Sequence, residues 1–184
     1  MIWSALLLDL VPILVFVVFD RRGKVKLAVA GAVLAAVLEL VVSHFFIGGV
    51  DELSIVYAAL FLAFGGLSYK FNNALFFKLK PVFISVVTGL AFLVTYMRGN
   101  PLMVMFLERY KDAFPESIYL FLTPDQLRQI FTRVSFYMIF GSFVHAALLA
   151  WAALRASTWM WFIVLYGGGF AIIYLVMQLA ISAG

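Results

Sequence analysis

Long apolar runs broken by short polar turns set the pattern of this chain. The runs lie at about 3–19, 25–46, 53–69, 81–97, 124–153 and 158–182. A bilayer core about 30 Å thick takes roughly 20 apolar residues per helix. The pattern therefore predicts an all-α fold, a polytopic membrane helix bundle of five to six transmembrane helices forming a single integral membrane domain over 1–184. The count is open because the run at 3–19 is short and carries Asp9 and Pro12, which favour a tilted, kinked or partial crossing.

One further element has a different rhythm. From Pro101, residues Leu102, Met105, Phe106, Tyr110 and Phe114 recur at helical spacing, with Glu108, Arg109, Lys111 and Asp112 on the other side. This predicts a short interfacial amphipathic helix over about 101–114, ended by Pro115. Thr123-Pro124-Asp125-Gln126 has the spacing of a capping box, with proline at the first helical position, and marks the start of the long fifth run.

Composition agrees with the pattern. Hydrophobic residues make up 66% of the chain and charged residues 12%, with a mean hydropathy of +1.10, outside the range of a water-soluble domain of 184 residues. The net charge of +4 comes from Lys and Arg scattered between apolar runs, where topology signals and lipid headgroup contacts belong, so no nucleic-acid partner is expected. With no Cys there is no disulfide, thiolate metal site or Cys nucleophile. Met1 to Phe19 lacks a basic start and is followed by Asp20-Arg21-Arg22, so it is expected to stay in the mature protein.

The most polar corner runs from Phe64 to Pro81. Gly65 and Gly66 allow close helix packing, while Asn72 and Asn73 can satisfy backbone groups at a helix end. Lys70, Lys78 and Lys80 are expected to place three cations at one membrane surface, with Pro81 in the first turn of the next helix. These six residues, Lys70, Asn72, Asn73, Lys78, Lys80 and Pro81, are the expected contacts for a partner or for lipid.

A second set is expected inside the bundle. Glu39 lies within the second run, where a carboxylate must be protonated, paired or facing a wet cavity. Arg128, Thr132, Ser135, Ser142 and His145 recur along one face of the fifth run as a polar seam, and Gln178 is the amide of the sixth. Glu39, Ser142, His145 and Gln178 are thus expected as buried polar positions. His145 reads as an interhelical hydrogen-bonding group, since His44 is its only imidazole companion. Ala28, Gly31 and Ala35 give the second helix a small-residue face, and Trp159 and Trp161 are expected as interface anchors.

Pro12 before a basic turn, Phe64-Gly65-Gly66-Leu67, the stretch from Asn72 to Lys78-Leu79-Lys80-Pro81, and Pro101-Leu102 opening a short helix together resemble a known family. It is the bacterial intracellular septation protein A family, also called the inner membrane-spanning YciB family. The resemblance implies a multi-pass protein of the bacterial inner (cytoplasmic) membrane, concerned with cell-envelope biogenesis, septation and membrane homeostasis. It implies action through membrane lipids and through other envelope, division or elongation membrane proteins, with a homo-oligomer also among the expected assemblies. No catalytic, cofactor-binding or metal residues are expected. Asn72-Asn73 and His145 stand where relatives commonly have an acidic residue and an Asn, so the resemblance does not carry roles onto those side chains.

A non-enzymatic envelope protein is the leading expectation. The alternative is a small oligomeric transporter or channel subunit for a lipid or organic solute, motivated by Glu39, His145 and Gln178 among Gly-rich breaks. If all six runs cross, the turns at 20–26, 70–80 and 154–157 share one side with eight cations against five on the other. That count favours the first side as cytoplasmic. It leaves both termini outside, whereas the family resemblance implies a cytoplasmic C-terminus.

Overall fold

A computed structural model describes residues 2–42, 52–110 and 122–183, with side chains from Val11 onward apart from 39, 40, 42, 52–55 and 57. Seven helices appear among them: α1 (Ile2–Asp20), α2 (Val25–Val42), α3 (Glu52–Phe71), α4 (Ala74–Met97), α5 (Leu102–Arg109), α6 (Pro124–Arg155) and α7 (Thr158–Ser182). Three of these, α4, α6 and α7, are long and apolar enough to cross a membrane. The first three helices contain the shorter apolar stretches Val11–Asp20, Val25–Leu38 and Ala58–Phe71. At 1.5 Å per residue the 32-residue α6 is about 48 Å long, more than a hydrocarbon core requires.

Local chemistry accounts for the helix ends. Three helices stop on the same double backbone closure, in which a left-handed residue follows the cap. Gly23 (φ 70°), Asn72 (φ 48°) and Gly99 (φ 74°) hold that position. Each donates its N–H to the carbonyl three residues back, and the next residue reaches five back: Lys24 to Phe19, Asn73 to Ser68 and Asn100 to Thr95. Glycine enters the left-handed region without strain, and asparagine is among the few other residues that do so readily. At the start of α6 the capping box forms in both directions: Gln126 N–H donates to Thr123 Oγ1 at 3.3 Å, and Thr123 N–H donates to Gln126 Oε1 at 2.8 Å.

The fourth helix corrects the sequence reading. It begins at Ala74, so Pro81 lies inside it instead of in its first turn. Asn73 is the cause: its Oδ1 accepts from Leu75 N–H at 2.9 Å, an N-cap strong enough to start the helix ahead of the proline. Proline lacks the N–H that would reach Phe77's carbonyl, so the ladder is interrupted there.

The chain divides into two compact units, one built from Met1–Lys80 with Ala150–Phe162 and the other from Pro81–Leu149 with Ile163–Gly184. In the first, α1 packs on α2 and α2 on α3. Phe16, Val17, Ala28, Val29, Ala32, Phe77 and Trp161 are buried there. Close approach is set by small residues, since a Cβ on Gly31 would lie 2.8 Å from Val15 Cγ1 and one on Gly65 3.0 Å from Val33 Cγ2. Gly66, by contrast, faces open space.

In the second unit Val134, Val176 and Ala180 form a cluster packed by Met103, Ile130, Tyr137, Met138 and Ile172. The short α5 joins it through Met103 and also buries Val104 and Leu107. Met105, Phe106 and Tyr110, expected on the apolar side of an interfacial helix, are exposed, so the apolar surface of α5 is split between protein and outside. Residues 111–114 of the expected interfacial helix lie outside the described residues.

Candidate functional site

Where α1 ends, its last residue meets α4 and α7. Asp20 Oδ2 lies 3.3 Å from Lys78 Nζ, and both side chains are about nine-tenths buried. Lys78 Nζ also donates to Thr158 Oγ1 at 2.8 Å, and the Thr158 hydroxyl in turn donates to Asp20 Oδ2. Each group in this clasp therefore touches the other two. One residue of the clasp's backbone is held as well: Trp161 Nε1 donates to the carbonyl of Lys78 at 3.2 Å, next to the break that Pro81 makes in the helix.

An aromatic shell closes over the clasp. Phe16 stacks on Phe77 at 4.1 Å between centroids, Trp161 meets Phe16 edge-on at 6.0 Å, and Phe61 meets Phe77 edge-on at 5.5 Å. Lys80 Nζ sits over the Phe61 ring at 3.1 Å from its centroid, a cation–π contact. Beneath, Ser68 bridges the first turn of α4, donating to the Asn73 carbonyl at 2.8 Å and accepting from Phe77 N–H at 2.7 Å. The turns at 20–26, 70–80 and 154–157 thus gather at one end of this unit, as the shared contacts of Asp20, Lys78 and Thr158 require.

The expected cationic corner is corrected by this geometry. Lys78 and Lys80 are buried, 8% and 7% exposed, because an acid and an aromatic ring receive them. Lys70, Asn72 and Asn73 are exposed, and Pro81 is half-buried. Trp161, expected as an interface anchor, is buried, whereas Trp159 is exposed. Around Trp159 lies an open groove of about 340 Å³ lined by Leu14, Val17, Val18, Arg21, Arg22 and Trp159.

The second unit holds a hydrogen-bonded imidazole. His145 Nε2 lies 3.2 Å from the Val164 carbonyl, and Ser85 Oγ lies 3.4 Å from Nδ1. A carbonyl only accepts, so Nε2 carries a proton toward Val164, while the serine hydroxyl, able to donate or accept, faces Nδ1. Val164 opens a π-helical turn, Val164–Gly168, within α7. The imidazole packs beside Gly168 and Gly169, where a Cβ on either would lie at ordinary van der Waals distance from the ring, 3.7 and 3.5 Å to its nearest atom.

Ser142 is buried and His145 half-buried, but Gln178 is exposed. The reason is helical phase: Val176 and Ala180 are the buried residues of that turn, and Gln178 lies two positions from each, about 200° around the helix. The side chain of Glu39 lies outside the described residues, as do Ser43 and His44.

Sequence reasoning missed Asp20, Thr158, Ser68 and Ser85 as participants. Asp20 was hidden by Arg21 and Arg22, its obvious local partners. An acid at the end of an apolar run, followed by two arginines that the solvent can hold, was the available signal.

Helices of this length and apolarity define a polytopic helical membrane protein. The chain belongs to the intracellular septation protein A family, whose model matches residues 5–182. It is similar to the inner membrane-spanning protein YciB of Acidithiobacillus ferrooxidans, 35% identical over 98 residues, and to that of Yersinia enterocolitica, 33% identical over 89 residues. These alignments cover 53% and 48% of this chain, and the chain spans about half the length of each curated relative, 53% and 49%. No solved structure matches. The chain is accordingly an inner-membrane protein of a family named for septation, a name that implies no enzymatic activity.

Proposed function

We propose that the protein is a non-enzymatic component of cell-envelope biogenesis and septation that acts by contact, docking partner membrane proteins or lipids. The observation that carries this reading is the division of charge in the first unit. Asp20, Lys78 and Lys80 are consumed in internal contacts, while Arg21, Arg22, Lys24, Lys26, Lys70 and Arg155 remain exposed. Chemistry would use the enclosed groups; contact uses the exposed rim. Five to six helices cross the membrane in this reading, α5 lies in the interface with Met105, Phe106 and Tyr110 toward lipid, and the cationic end of the first unit faces the cytoplasm.

Two experiments test it. Because the chain has no Cys, single replacements Gly23→Cys and Gly99→Cys report sidedness with a membrane-impermeant maleimide; labelling of Gly23→Cys from the periplasm overturns the orientation. Crosslinking in native membranes is expected to recover envelope-assembly proteins, and recovery of none overturns the docking role.

A second reading, a small oligomeric transporter or channel subunit, is favoured by the π-helical turn against which His145 rests, since such turns often occur at functional sites. In that reading His145→Phe abolishes solute flux in proteoliposomes; unchanged flux removes it.

A further inference from the structure

The groove at the end of α1 combines two kinds of lining in a definite order. Leu14, Val17 and Val18 stand three and four apart on one face of α1, and Arg21 and Arg22, in the turn directly after its last residue Asp20, continue that lining. Along that face the lining changes from apolar to cationic over about 12 Å. Val17 is buried, while Leu14 and Val18 are exposed as walls. Trp159 closes the groove at the first turn of α7. There Ser157 caps the helix, its Oγ accepting from Met160 N–H at 3.2 Å.

Charge decides what such a groove takes. Asp20, the acid adjoining the arginines, is engaged by Lys78 and Thr158 on the other side of the helix end. Among the described residues neither Arg21 nor Arg22 meets a carboxylate within salt-bridge distance. The exposed Lys24 and Lys26 follow in the same turn and the start of α2. Two guanidinium forks above an apolar stripe match a phosphodiester joined to an acyl chain. The indole of Trp159 suits the ester level between them, where one end is apolar and the other wet. A zwitterionic headgroup would bring its ammonium against four cations; an anionic one would not.

Resting on the proposed contact function, we propose that this groove binds one anionic glycerophospholipid. Arg21 and Arg22 hold the phosphodiester, and one acyl chain lies along Leu14 and Val18. At about 340 Å³ the groove takes the headgroup and the first carbons of that chain, a volume at the low end of known ligand sites. The rest of the lipid stays in the bilayer.

The test is a titration of the full chain in detergent, followed by native mass spectrometry, with phosphatidylglycerol and with phosphatidylethanolamine carrying the same acyl chains. Phosphatidylglycerol is expected to bind about tenfold tighter or more. The double replacement Arg21→Gln with Arg22→Gln should lower its affinity about thirtyfold, two cations' share of attraction to an anionic lipid. Arg21→Lys with Arg22→Lys should recover most of that loss, and Arg98→Gln, at an exposed arginine of the other unit, should change nothing. Val18→Trp, which fills the apolar half and keeps both arginines, should also weaken lipid binding. Thermal unfolding of every variant in the same detergent confirms that it is folded.

Equal affinity for the two lipids overturns the site, as does a folded double Gln variant that binds phosphatidylglycerol like the parent. Full competition by millimolar inorganic phosphate also overturns it, because the acyl chain would then contribute nothing. If lipid binding fails while native crosslinking still recovers envelope proteins, the lipid site falls and the contact function stands. Selective lipid binding with no protein recovered upholds the site and removes the protein-docking arm of that function.

Discussion

The first unit encloses an ion pair, while the second holds a half-buried imidazole between a hydroxyl and a carbonyl, and the two are stabilised differently. Asp20 and Lys78 lose most of their hydration, and their mutual attraction offsets that cost only because Thr158 bonds to both and Trp161 fixes the lysine backbone. His145 bonds to a hydroxyl and a carbonyl, Ser85 and Val164, and not to an opposite charge. The clasp ties together three helix ends distant in sequence and tolerates no missing member. The imidazole links three helices as well, but each of its bonds can be lost singly at modest cost. Enclosed charge therefore specifies one arrangement more sharply than enclosed polarity does.

The largest expected effect follows directly. Asp20→Ala strands the buried Lys78 ammonium and should destabilise the protein by about 3–5 kcal/mol. Lys78→Met strands the carboxylate with a similar loss. The double variant should lose clearly less than the sum of the two, because neither charge is then enclosed alone. Reversible unfolding in mixed micelles measures all three. A loss below about 1 kcal/mol for Asp20→Ala would reduce the clasp to the level of an exposed pair such as Glu108–Arg128, which stand 3.9 Å apart in solvent.

Next comes Ser68, which supports the clasp from beneath. Its hydroxyl stands between Asn73's carbonyl and Phe77's N–H, so Ser68→Ala leaves both buried groups to find each other again. The expected loss is about 1–3 kcal/mol. Hydrogen exchange at the Phe77 amide should speed up while amides of the second unit do not. Uniform acceleration across the chain would mean that the serine supports the whole fold and not the corner alone.

How far all this could be read from the chain depends on the range of the interaction. The start of α6 was legible because a single short stretch, Thr123 to Gln126, decides it. The membrane class was legible because it depends only on apolar length. Pro81 was misplaced because its own preference for a first turn is local, whereas the Asn73 cap and the Ser68 bridge lie outside the proline's neighbourhood. Lys78 and Lys80 were read as surface cations for the same reason. Nothing beside them reveals that Asp20 and Phe61 arrive from other helices. Gln178 was misread because an amide in an apolar run is silent about phase until the buried residues Val176 and Ala180 are known.

Packing in the second unit supplies a smaller effect. A methyl added to Gly141 would lie 2.8 Å from Ile172 Cγ2, a group fixed at the β-carbon that cannot swing away. Overpacking of about 1–3 kcal/mol is partly offset by the roughly 1 kcal/mol that alanine gains over glycine inside a helix. Gly141→Ala should therefore destabilise by about 1 kcal/mol. Gly66→Ala, in the first unit and facing open space, should stabilise slightly, and the sign difference between the two is the measurement.

An effect of similar size belongs to His145 and sharpens the contrast with the clasp. His145→Phe keeps a planar ring against Gly168 and Gly169 while removing both hydrogen bonds. Interhelical hydrogen bonds in membranes contribute about 0.6 kcal/mol each on average, so the loss should stay near 1 kcal/mol and leave the fold intact. Val164's carbonyl then lacks its side-chain donor, and the π-helical turn has less to hold it open. Amide exchange within Val164–Gly168 should change more than exchange elsewhere in α7. A loss as large as that of Asp20→Ala would mean that the imidazole holds its unit as firmly as the ion pair holds the other, and the distinction between the two units would disappear.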